Sequence, residues 1–121
     1  MSRSGLDAIA DANGRFAVLA MDQRGTLRRM LTGAGKPAED DDLKSFKVDV
    51  ISALAPLSSG VLTDTEFGVS AVRAAGAMPE GVGLLIAAEP VEKEKYGEEY
   101  RNVRDPLRTA AWVRENTGAA V

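Results

Sequence analysis

Cysteine and histidine are both absent from this 121-residue sequence. Without them there is no disulfide framework, thiol nucleophile, imidazole base or thiolate zinc site, which removes most protease and zinc-enzyme chemistry. Any catalysis falls to carboxylates, lysine, arginine or tyrosine. An excess of one charge sign is missing too. The 15 basic and 18 acidic residues are interspersed and leave a net charge of -3, so there is no footprint for nucleic acid and no polybasic patch for anionic lipid. Neither is expected as a partner. Long hydrophobic runs are also lacking. MSRSGLDAIADANG has no apolar run of the about 7 to 15 residues a signal peptide carries, and no stretch approaches the ~20 of a membrane span. A cytoplasmic protein is expected.

What is present is an ordinary globular balance, 45% apolar and 27% charged, in a length that suits one domain, residues 1–121, able to bury a core. Ser4 to Ala12 is compatible with a short helix stopped by Asn13-Gly14. Phe16 to Met21 is unbroken apolar sequence, the pattern of a strand covered on both faces in a parallel sheet. Thr26 to Leu31 reads as a turn or two of helix, and TGAGKPAEDDD as a loop. A helix follows: Asp40 to Asp42 supply an N-cap and dipole-favourable charge, and Leu43, Phe46, Val50, Ile51 and Leu54 recur at helical spacing until Pro56. It is expected to cover the first strand.

GVLTD, Gly60 to Asp64, is a second short strand. Thr65 to Ala75 is helix-compatible and closed by Gly76, although Gly68 weakens the pattern. GVGLLIAAE, Gly81 to Glu89, is a third apolar run, and Pro90 to Asn102 is read as a loop or a loosely held helix. Asp105 and Pro106 open a last helix whose stripe is Leu107, Ala110, Ala111 and Val113, ended by Gly118. Ala119 to Val121 begins another apolar run. This alternation is the signature of βαβ units on a parallel sheet. Right-handed crossovers bring all strand C-termini to one edge, where such folds bind ligands.

Asp22, Asp64 and Glu89 each close one of the three runs. Asp22 either caps the next helix or pairs with Arg24 or Arg28, or else it serves a site. Gln23 offers a donor and an acceptor suited to a sugar hydroxyl, and Arg24 a planar fork for phosphate, against the commoner solvated arginine. Gly25 relaxes the turn or lets a phosphate approach backbone amides. Glu89, after Ala87-Ala88, is expected to be buried and fit for acid/base work or hydroxyl recognition, against a simple strand-end ion pair. GAGK, Gly33 to Lys36, lacks phosphate-loop spacing and reads as linker. EKEKYGEEYR reads as a solvated loop, and Trp112 as packing.

Taken in order, FAVLAMDQRGTLRRML, LKSFKVDVISALAPLSSGVLTDTEFG and GLLIAAE resemble the N-terminal part of the class I aldolases of the tagatose 1,6-bisphosphate type, to which the sulfofructose phosphate aldolases are similar. The resemblance implies the N-terminal part of a (β/α)8 TIM barrel, about three βα units plus the start of strand four. It implies cleavage of a ketose bisphosphate or sulfoketose phosphate to dihydroxyacetone phosphate and an aldehyde through a lysine Schiff base, with no metal or other cofactor. Asp22, Gln23, Arg24, Asp64 and Glu89 then match substrate-binding positions.

The family's strand-four lysine, its later glutamate and its strand-six Schiff-base lysine have no counterpart before Val121. Lys36, Lys44, Lys47, Lys93 and Lys95 fall in loops or on a helix, in polar or acidic surroundings, so no catalytic residue is assigned. A barrel of this kind takes ~250 residues, and three units leave open edges. The expectation is therefore a fragment of a longer protein that binds a sugar phosphate and self-associates as a homo-oligomer. The rival reading is a standalone α/β binding or regulatory domain, such as a phosphorylation receiver. It fits less well, because a receiver wants paired acids after strand one and an Asp after strand three.

Overall fold

The computed structural model describes residues 5–121. It is an α/β structure whose centre is a three-stranded parallel sheet, β1 Val18–Met21, β2 Gly60–Asp64 and β3 Gly83–Ala87, in the order β1-β2-β3. Leu19 pairs with Val61 and Val61 with Leu84. One step on, Ala20 pairs with Leu62 and Leu62 with Leu85. Because side chains alternate along a strand, these rows project to opposite faces.

The Leu19 and Val61 face is covered. Helix α1, Gly25–Gly33, and helix α2, Asp40–Leu54, follow β1, and helix α3, Val69–Ala74, follows β2. Met21, Ile51, Ala55, Val61 and Val72 form the main core, with Leu19 packed against it. Leu27, Leu31 and Leu43 make a second cluster between α1 and α2, joined by Phe67. The α2 stripe differs from the one the spacing suggests. Its buried residues are Leu43, Lys47 and Ile51, a strict four-residue step, whereas Phe46 and Leu54 stand exposed. Its N-cap is Glu39, and the Asp42 carboxylate in the first turn accepts the Glu39 amide at 2.9 Å.

The opposite face is thinly covered, which corrects the expectation of a first strand buried on both sides. Val18 and Ala20 are exposed, as is Phe16, which lies outside the strand. A 3-10 helix, Gly5–Ile9, crosses the N-terminal end of β2 and β3; Ser4, the expected start of that segment, lies outside the described residues. It approaches so closely that a Cβ at Gly83 would overlap the Ala8 carbonyl. Glycine there is a packing requirement.

Two further expectations are corrected. Pro90 to Asn102 is neither loop nor helix throughout: β4 Lys93–Tyr96 and β5 Glu99–Asn102 form an antiparallel hairpin. Gly97, the first of its two loop residues, has φ +63°, the conformation that favours glycine in a tight hairpin turn. Helix α4 spans Ala110–Thr117 and starts later than Pro106. Thr109 is its N-cap and accepts the Trp112 amide, while Asp105 caps a separate turn by accepting the Leu107 amide at 2.9 Å. Val113 and Thr117 are its buried residues, and Leu107 is exposed. Past Gly118, the Ala120 amide donates to the Leu84 carbonyl at 2.9 Å and the Ile86 amide to that of Val121 at 3.1 Å. The chain there runs beside β3 in the same direction.

Candidate functional site

Parallel pairing puts the C-terminal ends of β1, β2 and β3 on one edge, so Asp22, Asp64 and Glu89 share it. A solvent-open cleft of about 660 Å³ lies there, lined among others by Asp22, Arg24, Arg29, Glu89, Lys93 and Asn102. Of the five residues singled out from sequence, Asp22, Arg24 and Glu89 come together in it. Gln23 and Asp64 are not among its lining residues.

Arg24 is held from two sides. Its Nη1 donates to Glu66 Oε1 at 3.0 Å and its Nη2 to the Glu89 carbonyl at 3.1 Å, and its side chain is only 12% exposed. The guanidinium thus joins the β2–α3 turn to the end of β3 while lining the cleft. Arg28 pairs instead with Asp40, so both arginines considered as partners of Asp22 are engaged elsewhere. Asp22 is half-buried. Gln23 is exposed, its Nε2 3.5 Å from the Ala20 carbonyl.

Glu89 is exposed rather than buried, because β3 is only half-covered and the carboxylate lies beyond its last residue. Its Oε2 accepts Asn102 Nδ2 at 2.8 Å. That bond ties the hairpin to the edge of the sheet and brings Lys93 and Asn102 to the cleft. Neither was singled out from sequence. The missed signal is the Gly97 turn between KEKY and EYRN, which folds the charged stretch back on itself.

Asp64 and Lys47 are both fully buried. Lys47 Nζ donates to Asp64 Oδ1 at 2.8 Å, to the Met21 carbonyl at 2.9 Å and to the Gln23 carbonyl at 2.6 Å. An ammonium has three donors, and here all three are used. Asp64 Oδ2 accepts the Glu66 and Phe67 amides at 3.0 and 2.7 Å, and Thr63 Oγ1 donates to the Met21 carbonyl at 3.1 Å. Those two captured amides make the turn that delays α3 to Val69. Gly68, read from sequence as a weakness, is where the chain passes over this network: a Cβ would overlap Thr63 Oγ1 and come within 3.0 Å of Asp64 Oδ1.

Lys47 does sit in the polar and acidic setting expected of the lysines, with a carboxylate and two carbonyls around it, but it is fully buried, which was not expected from sequence. Its signal was the four-residue spacing from Leu43 and to Ile51, which puts it in the middle of a buried stripe. Lys36, Lys93 and Lys95 are exposed and Lys44 half-exposed. Among the described residues there is no cluster of acidic side chains that could hold a metal ion, and no helix is long and apolar enough to cross a membrane.

The site is therefore that of an α/β protein carrying charged, ligand-capable groups at the C-terminal edge of a parallel sheet. No family model matches the chain. It is 38% identical over 85 residues to a tagatose 1,6-diphosphate aldolase of Listeria monocytogenes, a match covering 70% of this chain and 24% of that protein. Tagatose 1,6-diphosphate aldolase 1 of Enterococcus faecalis is 38% identical over 87 residues, 72% of this chain and 26% of the relative. Tagatose 1,6-diphosphate aldolase 2 of Streptococcus agalactiae is 33% identical over 88 residues, with 72% and 26% covered. The chain is a homologue of these aldolases over the matched stretch, and it spans about a quarter of their length.

Proposed function

We propose that this chain is the N-terminal, substrate-gripping part of a class I (β/α)8-barrel aldolase that cleaves a ketose bisphosphate or a sulfoketose phosphate to dihydroxyacetone phosphate and an aldehyde. The carrying observation is the cleft at the C-terminal sheet edge, which unites Asp22, Arg24 and Glu89 with Arg29, Lys93 and Asn102 in a homologue of tagatose 1,6-diphosphate aldolases. Arg24, Arg29 and Lys93 suit a phosphate or sulfonate, and Asp22, Gln23 and Glu89 suit sugar hydroxyls. Asp64 contributes from below by shaping the turn that carries Glu66.

Schiff-base chemistry needs an amine free to attack the substrate ketone. Lys47 has its three donors engaged, and the other lysines lie on the surface. The nucleophile in this reading comes from outside these 121 residues. Half-covered strands and the exposed Val18 and Ala20 face support self-association as a homo-oligomer, and a cytoplasmic setting fits a sugar-phosphate enzyme.

Calorimetric titration of the chain with tagatose 1,6-bisphosphate tests the reading. Binding without turnover is expected, weakened by Arg24→Ala and also by Lys93→Ala, whose exposed side chain supports no core. Borohydride reduction with dihydroxyacetone phosphate should trap no lysine. A flat titration, affinity indifferent to both substitutions, or stoichiometric trapping at one lysine would each overturn it.

A further inference from the structure

Lys47 is a fully buried cation that no step of binding or cleavage uses. Its surroundings give it a different task. Two of its three acceptors are main-chain carbonyls, Met21 and Gln23, that bracket Asp22. The third is Asp64 Oδ1, whose other oxygen fixes the amides of Glu66 and Phe67. Glu66 in turn holds Arg24. One ammonium thus joins the loop that presents Asp22, Gln23 and Arg24 to the loop whose Glu66 holds Arg24.

The anchor of this joint is a rigid element. Lys47 sits on α2 between Leu43 and Ile51, each fully buried and one turn away. A long side chain rooted there has little freedom, and its charge has no route to water. Buried ion pairs contribute little net stability compared with apolar replacements of similar volume, while their directional bonds fix geometry. Backbone carbonyls at a strand end are also the groups that would otherwise move with the loop.

We propose that Lys47 is a positioning residue: its ammonium pins the Met21–Gln23 backbone to Asp64 and so holds Asp22, Gln23 and Arg24 in register for a sugar phosphate. The effect on ligand rests on the sugar-phosphate reading of the cleft; the effect on the loops does not. Removing the tether frees the backbone around Asp22 from Asp64 and leaves the Arg24–Glu66 side-chain pair as the link between the two loops, so Asp22 is no longer held in one geometry relative to the Glu66-anchored guanidinium.

Lys47→Met alone strands the Asp64 charge, so the informative protein is the 121-residue chain carrying Lys47→Met with Asp64→Asn. Amide hydrogen exchange is read at residues 22–26 and 66–67 against Val61 and Leu62 in the strand. A cooperative melt close to the parent is expected, with exchange at the two loops faster by about tenfold or more and affinity for tagatose 1,6-bisphosphate lower by about tenfold. Unchanged loop exchange together with parental affinity would overturn the proposal.

Should the double variant not fold, the parent chain decides. With nitrogen-15 lysine and arginine, the Lys47 ammonium signal is expected to exchange slowly with water and to move on saturation with the bisphosphate; a fast-exchanging signal, or one that stays still while the Arg24 signal moves, overturns the tether. A parent that binds no bisphosphate counts against the sugar-phosphate reading alone, and loop exchange in the double variant, or slow exchange of the ammonium signal, still settles whether Lys47 pins the loops.

Discussion

The two walls of the cleft are built differently. On the β1 and β2 side, Val61, Thr63 and Asp64 are fully buried, and α2 and α3 cover the sheet. Among the described residues, no buried side-chain polar atom lacks a hydrogen-bond partner. On the other side, all of β3 is half-buried and every residue of β4 and β5 is exposed. There, Glu89 is tied to the hairpin by Asn102, and Arg24 reaches across from the first wall to the Glu89 carbonyl. One wall is fixed by packing and buried bonds, and the other by surface bonds that water can replace. Opening free energies vary within a domain in the same way, lowest where apolar contacts are few.

The comparison is most severely tested at Lys47. Lys47→Met on its own leaves a carboxylate buried without its cation, and breaking such a pair costs about 3–5 kcal/mol. Urea denaturation should show a large fall in the midpoint at unchanged slope. A loss below ~1 kcal/mol would mean that water reaches Asp64 and that the first wall is softer than described.

Gly68→Ala comes next. The added Cβ must displace Thr63 Oγ1, and overpacking at a tight site costs about 1–3 kcal/mol. Because Thr63 and Asp64 belong to the same network, this loss should shrink in a Lys47→Met background, a coupling that a double-mutant cycle measures. Additive losses would show that the glycine is needed for some other reason.

Thr109→Ala has a smaller expected effect, about 1 kcal/mol, since it removes one helix cap from α4. The Thr109 hydroxyl accepts the Trp112 amide at 3.2 Å, so the amides of the first turn of α4 should exchange faster. Protection unchanged at Trp112 would show that the cap is not formed in solution.

The sequence is more easily read on one wall than on the other, for the same physical cause. Apolar runs from Phe16 to Met21, in GVLTD and in GLLIA stand out by their continuity, and their order with α2 gives the parallel sheet. Asp22 and Arg24 could be found because they directly follow a strand. Lys47 was passed over although its spacing from Leu43 and Ile51 marks it, since helical periodicity is read from apolar residues and a lysine is scored as surface; a carboxylate from 17 residues further on completes its environment. The hairpin was hidden for the opposite reason. KEKY and EYRN bury nothing, so no hydrophobic alternation marks them, and their pairing rests on backbone bonds and the Gly97 turn. Glu89 was misjudged because its exposure depends on what covers β3.

The smallest effect is expected in the hairpin, at Tyr96. The Arg101 guanidinium lies 3.8 Å from the centroid of the Tyr96 ring, and both residues are exposed. Cation–π pairs in water contribute about 0.5–1 kcal/mol, and here the benefit is confined to an element that buries no core residue. Tyr96→Ala should therefore leave the global denaturation midpoint almost unmoved while speeding amide exchange in β4 and β5. Its effect on the cleft is indirect: a looser hairpin weakens the hold of Asn102 on Glu89 without touching Asp22 or Arg24. The signature is faster exchange at Asn102 with no change at residues 22–26. If Tyr96→Ala instead lowered the global midpoint as much as Gly68→Ala does, the hairpin would be part of the same cooperative unit as the β1 and β2 core, and the two walls would not differ in stability.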